Sequence, residues 1–328
     1  MQIIINKYGS SIQKSGELFK IFSDGKTTKI SPKRVESIVI SNGVSVSSDV
    51  VMMSLKNNIE IYIIDQYGNP IGRFWHARMG STVKIRRAQL LSSMDTRGLK
   101  FGLQWINGKF ENQIKFLKNM QNRRTRLSAE IQNAVNSMLT IREKINILEG
   151  NIDDIRNTIL GLEGAAGRIY WNIYGKFMSG GFEFKGRTFR PAEDEINAII
   201  NYGFGFLYRI VEKGIILSGL DPYIGFVHSD NYNKISLVFD VIEKYRIWVE
   251  DCIISMLSKK QLKKSYFENV SAGFYLNEEG KKAFIPTFNE YLDKTILYKN
   301  RNIQRRNVIQ LDLQSFAKEL LREYYEKK

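Results

Sequence analysis

The chain has 328 residues, with 49 Lys and Arg against 34 Asp and Glu for a formal charge of +15, and 43% of it is hydrophobic. That balance excludes disorder as the main state and provides chain for roughly two domains of about 150 residues each. A single cysteine excludes an internal disulfide and a thiolate metal cluster, and no run of about 18 apolar residues offers a membrane span.

The N-terminus carries only the strand-sized triplet Ile3 to Ile5 and no secretory pattern, so a cytoplasmic protein is expected. Residues 1–80 read as β: short Ile, Val and Phe-rich segments at 2–6, 17–22, 36–41, 60–64 and 71–75 alternate with Gly, Asn, Asp and Ser clusters, as in a sandwich-like module. One helix is expected within it at 48–56, where Val50, Val51 and Leu55 recur at helical spacing. From residue 81 the pattern becomes helical, with apolar stripes over 82–98, 102–121, 128–148, 152–178, 194–218, 234–259, 284–299 and 311–326. The fold class is therefore α+β, a β module over 1–80 followed by a larger all-α domain over 81–328. The glycines at 180, 181 and 186 mark a loop between helices, the best candidate for a mobile one.

Charge is uneven. Residues 1–150 carry 23 basic and 11 acidic side chains, 151–250 carry 11 and 13, and 251–328 carry 15 and 10. Between Ser81 and Arg126 there are 11 basic and 2 acidic residues, a field whose commonest partner is a phosphate backbone. Arg301, Arg305 and Arg306 form a second, shorter run that also reads as a solvated helix end.

The chain has no phosphate loop and no HExxH, CxxC or GxSxG, so nucleotide chemistry and the common hydrolase machines have no support. The informative residues are polar groups in apolar surroundings. Glu163 stands in TILGLEGAAG, His228 ends YIGFV, and Asp240 and Glu243 lie on one face of the LVFDVIE helix. A carboxylate in an apolar run is costly unless it is paired or binds a cation. Arg168, Arg209 and Arg246 are available as partners, so simple ion pairing is an ordinary alternative. One imidazole with two or three carboxylates favours Mg²⁺ or Mn²⁺ over zinc. His76 has no comparable neighbours and reads as structural, Cys252 as a small buried side chain, and Tyr170, Trp171 and Tyr174 as core aromatics more than base-stacking ones.

The strings LEGAAGRIYW from Leu162, RPAEDEINAIINYGFGFLY from Arg190, GLDPYIGFVH from Gly219 and ISLVFDVIEKYR from Ile235 closely resemble, in order and separation, the CRISPR-associated integrase family, the catalytic subunit of spacer acquisition. The resemblance spans essentially the whole chain. It implies that Glu163, His228 and Glu243 hold a divalent ion, Mg²⁺ or Mn²⁺, and that Asp240 supports or joins that catalytic site. It implies DNA-binding roles for Arg168, Tyr170, Arg187, Arg190 and Arg246, the last at a basic position near the metal and Arg187 and Arg190 in a family loop. The implied activity is a metal-dependent DNA endonuclease and integrase, inserting short foreign fragments into a CRISPR array by 3′-hydroxyl attack on a repeat-border phosphodiester. The implied partners are double-stranded DNA (prespacer and CRISPR repeat), a second copy of the chain joined through the β module, and a small ferredoxin-like adaptation protein. Two rivals stay open: a divalent-metal nuclease on branched DNA or RNA without an integration role, and a non-enzymatic nucleic-acid binder.

Overall fold

The computed structural model describes residues 2–35, 37–64, 70–74, 83–228, 234–270 and 273–326, and the chain divides into two units, Met1–Met79 and Gly80–Lys328. His76 lies outside the described residues. In the first unit the order is β1 (Gln2–Ile5), β2 (Ser11–Ser15), β3 (Leu18–Ser23), β4 (Lys26–Ile30), β5 (Ser37–Ile40), β6 (Ser45–Val46), α1 (Ser48–Lys56), β7 (Glu60–Ile64) and β8 (Pro70–Phe74).

These strands make two four-stranded sheets. In one, ordered β1-β5-β7-β8, the first three strands are parallel and β8 is antiparallel; in the other, ordered β4-β3-β2-β6, β6 runs parallel to β2. Ile3, Ile5, Ile38, Ile40 and Ile61 of the first sheet share one apolar core with Ile12 and Phe19 of the second and with Val50 and Met53 of α1. The sandwich-like reading and the 48–56 helix match this arrangement. Strands β2 and β4 escaped the sequence reading because SIQKS and KTTKI are mostly polar: β4 has no fully buried residue and is held by its backbone pairing to β3.

The second unit holds α2 (Val83–Ser93), α3 (Thr96–Arg123), α4 (Ser128–Asn146), α5 (Ile152–Gly175), α6 (Glu195–Leu217), α7 (Ser236–Ile242), α8 (Arg246–Ser258), α9 (Glu278–Asp293) and α10 (Arg305–Leu321). It is not all helical. Two antiparallel hairpins, β9 (Phe267–Val270) with β10 (Gly273–Leu276) and β11 (Thr295–Tyr298) with β12 (Arg301–Gln304), interrupt it. Both were missed, since four-residue strands such as FENV and RNIQ bury almost nothing and leave no period-2 signal. Among the described residues no helix is long and apolar enough to cross a membrane.

Two boundaries differ from the sequence periodicity in ways that matter. The break between α2 and α3 falls at Asp95, whose carboxylate caps Arg97 N at 2.9 Å, so Gly98 and Gly102 lie inside the helix. A Cβ at Gly102 would stand 2.5 Å from Val227 Cγ2, and one at Gly108 would stand 2.9 Å from Lys244 Cγ. The two glycines thus let α3, 28 residues long, press against the chain just before His228 and just after Glu243. The expected single helix over 234–259 breaks after Ile242 and resumes at Arg246. Tertiary bonds outcompete helix continuity there. Asn112 Nδ2 donates to the Lys244 carbonyl at 2.7 Å, and Asp312 of α10 receives both Lys244 Nζ at 2.5 Å and the Tyr245 hydroxyl at 2.6 Å. Glu243 therefore sits at a helix junction.

Candidate active site

Three elements of the second unit converge on the segment before His228. Asp240 of α7 is 2% exposed, and its carboxylate accepts from the backbone N–H of Phe226 at 2.6 Å and of His228 at 2.9 Å. The same carboxylate accepts from the His228 ring at Nδ1, 2.7 Å away. Arg156 of α5 donates to the Val227 carbonyl at 2.9 Å, and α3 supplies the glycine contact to Val227. An acceptor carboxylate at Nδ1 puts the proton on that nitrogen and leaves Nε2 with its lone pair. The Asp240 oxygens are thus committed to residues 226–228.

Glu163 of α5 and Glu243 at the α7–α8 junction meet on one side chain. Lys109 Nζ, from α3, lies 2.5 Å from Glu163 Oε1 and 2.7 Å from Glu243 Oε2. Glu243 is also paired through Oε1 with Arg246 at 2.9 Å. Burial alone would raise the Glu243 carboxyl, but Arg246 and Lys109 outweigh it and hold the group down to about 2. Burial would likewise lower the Lys109 ammonium, and the two glutamates overcome that and keep it above its ordinary value. His228 stands close enough to Glu243 to contribute to the same depression.

Lys109 is one of the 11 basic residues between Ser81 and Arg126, and the sequence carries no mark of this placement. Nothing in its spacing distinguishes it from Lys115 or Lys118, which are exposed. The simple ion-pair alternative is therefore half right, because Arg246 does pair with Glu243.

Among the described residues no three His, Cys, Asp or Glu side chains are gathered tightly enough to hold a metal ion as they stand. Two observations nonetheless fit a hard cation. Both glutamates reach a single positive centre within about 3 Å, and Glu243 Oε2 is buried without an aligned hydrogen bond, its Lys109 contact being an off-axis ion pair. The outer side of α5 beside Glu163 is open: a Cβ at Gly161 would meet nothing within 4 Å, and one at Gly164 only Arg168 Nη1 at 3.9 Å.

The candidate DNA-facing residues divide. Arg168 and Arg190 are exposed. Tyr170 is not: it is fully buried, its hydroxyl donating to Glu250 Oε2 at 2.6 Å, because it lies two turns beyond Glu163 where α5 turns that face into the core. Arg187 is turned inward as well. It donates to Asn197 at 3.0 Å and Asn201 at 2.5 Å on α6 and packs over Phe189 and Phe204. Burial, aided by nearby Arg246, lowers its guanidinium to about 10. Asn197 also binds Gly186 O and Thr188 N, so the glycine-rich segment expected to be mobile is pinned to α6. Arg246 faces Glu243, the Tyr208 hydroxyl at 3.0 Å and the Phe204 ring, which makes it a support of the carboxylate. Cys252 is buried, and burial pushes its thiol up to about 12, which makes it inert.

Comparison with known proteins agrees with this geometry at the level of the fold. The model of the family described as CRISPR associated protein Cas1 matches residues 3–290. A CRISPR-associated endonuclease Cas1 of Archaeoglobus fulgidus is 29% identical over 327 residues, covering 95% of this chain and 94% of that protein. A solved structure titled "Casposase bound to integration product" superposes with a TM-score of 0.81 at 23% identity, over 99% of this chain and 91% of that one. A CAS1 protein from Thermotoga maritima superposes with a TM-score of 0.80 at 20% identity, over 98% and 96%.

Proposed function

Because the chain belongs to the CRISPR-associated Cas1 family, we propose that it is a divalent-metal-dependent DNA endonuclease and integrase that inserts short foreign DNA fragments into a CRISPR array. The observation that carries this reading is the meeting of Glu163 and Glu243, from separate elements, on one cation beside a histidine oriented by a buried aspartate.

In this reading Glu163, Glu243 and Nε2 of His228 would hold Mg²⁺ or Mn²⁺, which when bound supplies Lewis-acid stabilisation of charge on the target phosphodiester. The remaining work belongs to the chain itself. Asp240 fixes the His228 tautomer and ring plane, and Arg246 keeps Glu243 ionised and aimed. The open side of α5 at Gly161 and Gly164 admits a strand next to Glu163, with exposed Arg168 and Arg190 available to its phosphates. A DNA 3′-hydroxyl attacks phosphorus in line, one phosphodiester forms as another breaks, and the displaced 3′-oxygen takes up a proton. No covalent enzyme intermediate and no nucleotide are required, in keeping with the missing phosphate loop.

The partners in this reading are double-stranded DNA, a second copy joined through the β unit, and a small ferredoxin-like adaptation protein, with the protein acting in the cytoplasm. A strand-transfer assay with that small partner, a repeat-containing plasmid and a 3′-labelled fragment tests the proposal in Mn²⁺, Mg²⁺ and chelator. Joining that depends on the metal is the expected result; cutting without joining would favour the nuclease reading.

A further inference from the structure

Lys109 belongs by sequence to the most basic stretch of the chain, yet its side chain is only 14% exposed. Among the described residues its ion-pair partners are Glu163 and Glu243, one on each side, at 2.5 and 2.7 Å. Those are the oxygens that a divalent ion would require in the reading above, on which this inference rests. The neighbouring cation is differently placed. Arg246 approaches Glu243 through the other oxygen, Oε1, and is fixed by the Tyr208 hydroxyl and the Phe204 ring. Arg246 can therefore stay when another positive charge arrives, whereas Lys109 occupies the point between the carboxylates.

The charge balance leads to the same place. Two carboxylates are matched by Lys109 and Arg246, and a divalent ion added between the carboxylates would stand against Lys109 at contact distance. Like charges that close in a poorly solvated site repel strongly. A lysine, carrying its charge on a flexible four-carbon stem, can withdraw where a forked and stacked arginine cannot. Gly108, against Lys244, fixes the path of α3 beside the junction, so only the side chain has to move.

We propose that Lys109 is a positioning residue that competes with the divalent ion: its ammonium holds Glu163 and Glu243 at the spacing one cation needs and yields both oxygens when the ion binds. Lys109 is then a gate on metal occupancy. The role is distinct from DNA binding and from catalysis, because Lys109 acts through the two glutamates.

The test is Mn²⁺ binding to the full-length protein by calorimetry and electron paramagnetic resonance, without DNA. Lys109→Gln should bind Mn²⁺ about tenfold more tightly than wild type, as expected from loss of one opposing charge. Lys109→Arg, whose forked guanidinium withdraws less readily, should bind Mn²⁺ more weakly than wild type. In chelator the Gln variant should melt below wild type, and saturating Mn²⁺ should close that gap. Unchanged or weaker Mn²⁺ affinity in Lys109→Gln would overturn the inference while leaving the metal reading intact. Absence of Mn²⁺ binding by wild type itself would overturn both. Should the Gln variant not fold, the wild-type lysine Nζ resonance of Lys109 provides the readout: titration with Mg²⁺ should shift it to a solvent-like position, and an unmoved resonance at saturation would refute the competition.

Discussion

Asp240 grips His228 twice, through the backbone N–H at 2.9 Å and through ring Nδ1 at 2.7 Å. One buried carboxylate thereby sets both the path of the chain and the orientation of the imidazole. Asparagine cannot serve all of these donors, because its amide offers a single acceptor oxygen. Asp240→Asn should lower Mn²⁺ affinity and strand-transfer rate by about 10- to 100-fold, and Asp240→Ala should also cost roughly 3 kcal/mol of stability through stranded backbone N–H groups. Calorimetry and urea unfolding measure the two effects separately. A fully active Asp240→Asn would show that the histidine needs no support.

Alanine at Glu163, His228 or Glu243 should abolish metal-dependent strand transfer, a loss of at least about 100-fold, while DNA affinity changes little. The exposed cations of α3, including Lys115, Lys118 and Arg123, remain untouched in these variants. Retained joining by any two of the three would remove the assignment.

Arg187 and Arg190 should behave oppositely despite being three residues apart. Arg187→Ala loses the bonds to Asn197 and Asn201 and should destabilise the protein by about 2 kcal/mol. Arg190→Ala should leave the melting temperature unchanged, weaken DNA binding and reduce the magnitude of the salt slope of log K by about 1. Fluorescence anisotropy at three salt concentrations, alongside thermal melts, distinguishes the two, and a stable Arg187→Ala with weakened DNA binding would reverse their roles.

Gly203 and Gly205 form another such contrast. A Cβ at Gly203 would come within 2.4 Å of Val249 Cγ1 and 3.0 Å of Phe284 Cζ, whereas one at Gly205 would meet nothing within 4 Å. Gly203→Ala should cost about 1 to 3 kcal/mol by forcing α6 away from α8, and Gly205→Ala should gain up to about 1 kcal/mol of helix propensity. Equal effects in a melt would contradict this packing.

Glu250, fully buried and bonded to Tyr170, is raised by its burial to about 7 from an ordinary 4.5. The folded protein thus keeps a proton that the unfolded chain releases earlier. Its stabilising contribution is complete below about pH 4.5 and declines as pH rises to about 7, by roughly 3 kcal/mol in all. Glu250→Gln should remove that decline, so wild type loses stability relative to the variant between pH 5 and pH 8 in urea unfolding. Parallel pH profiles would place the carboxylate in a better-solvated setting.

The separate β and helical regions, most helix cores and the polar residues of the site were legible because each leaves a local trace. Apolar periodicity marks a buried face within a single segment, and a Glu, His or Asp inside an apolar run stands out wherever the chain goes. The likeness of GLDPYIGFVH and ISLVFDVIEKYR to a known family had the same origin, short strings read in place. Elements with no burial of their own, such as β4 and the hairpin of β11 and β12, left no such trace.

What the linear chain determined by itself was therefore which residues are unusual where they stand: Glu163, His228, Asp240 and Glu243. Only the tertiary structure decided what each one touches. It broke the 234–259 helix at Glu243 because Asn112 and Asp312 bind Lys244 and Tyr245 more favourably than helix continuation would. It sent Tyr170 and Arg187 inward and left Arg168 and Arg190 outside. It also brought Lys109, 54 positions before Glu163, onto both glutamates. An ion pair is set by distance and desolvation in space, and neither quantity is encoded by the spacing of residues along one strand of chain.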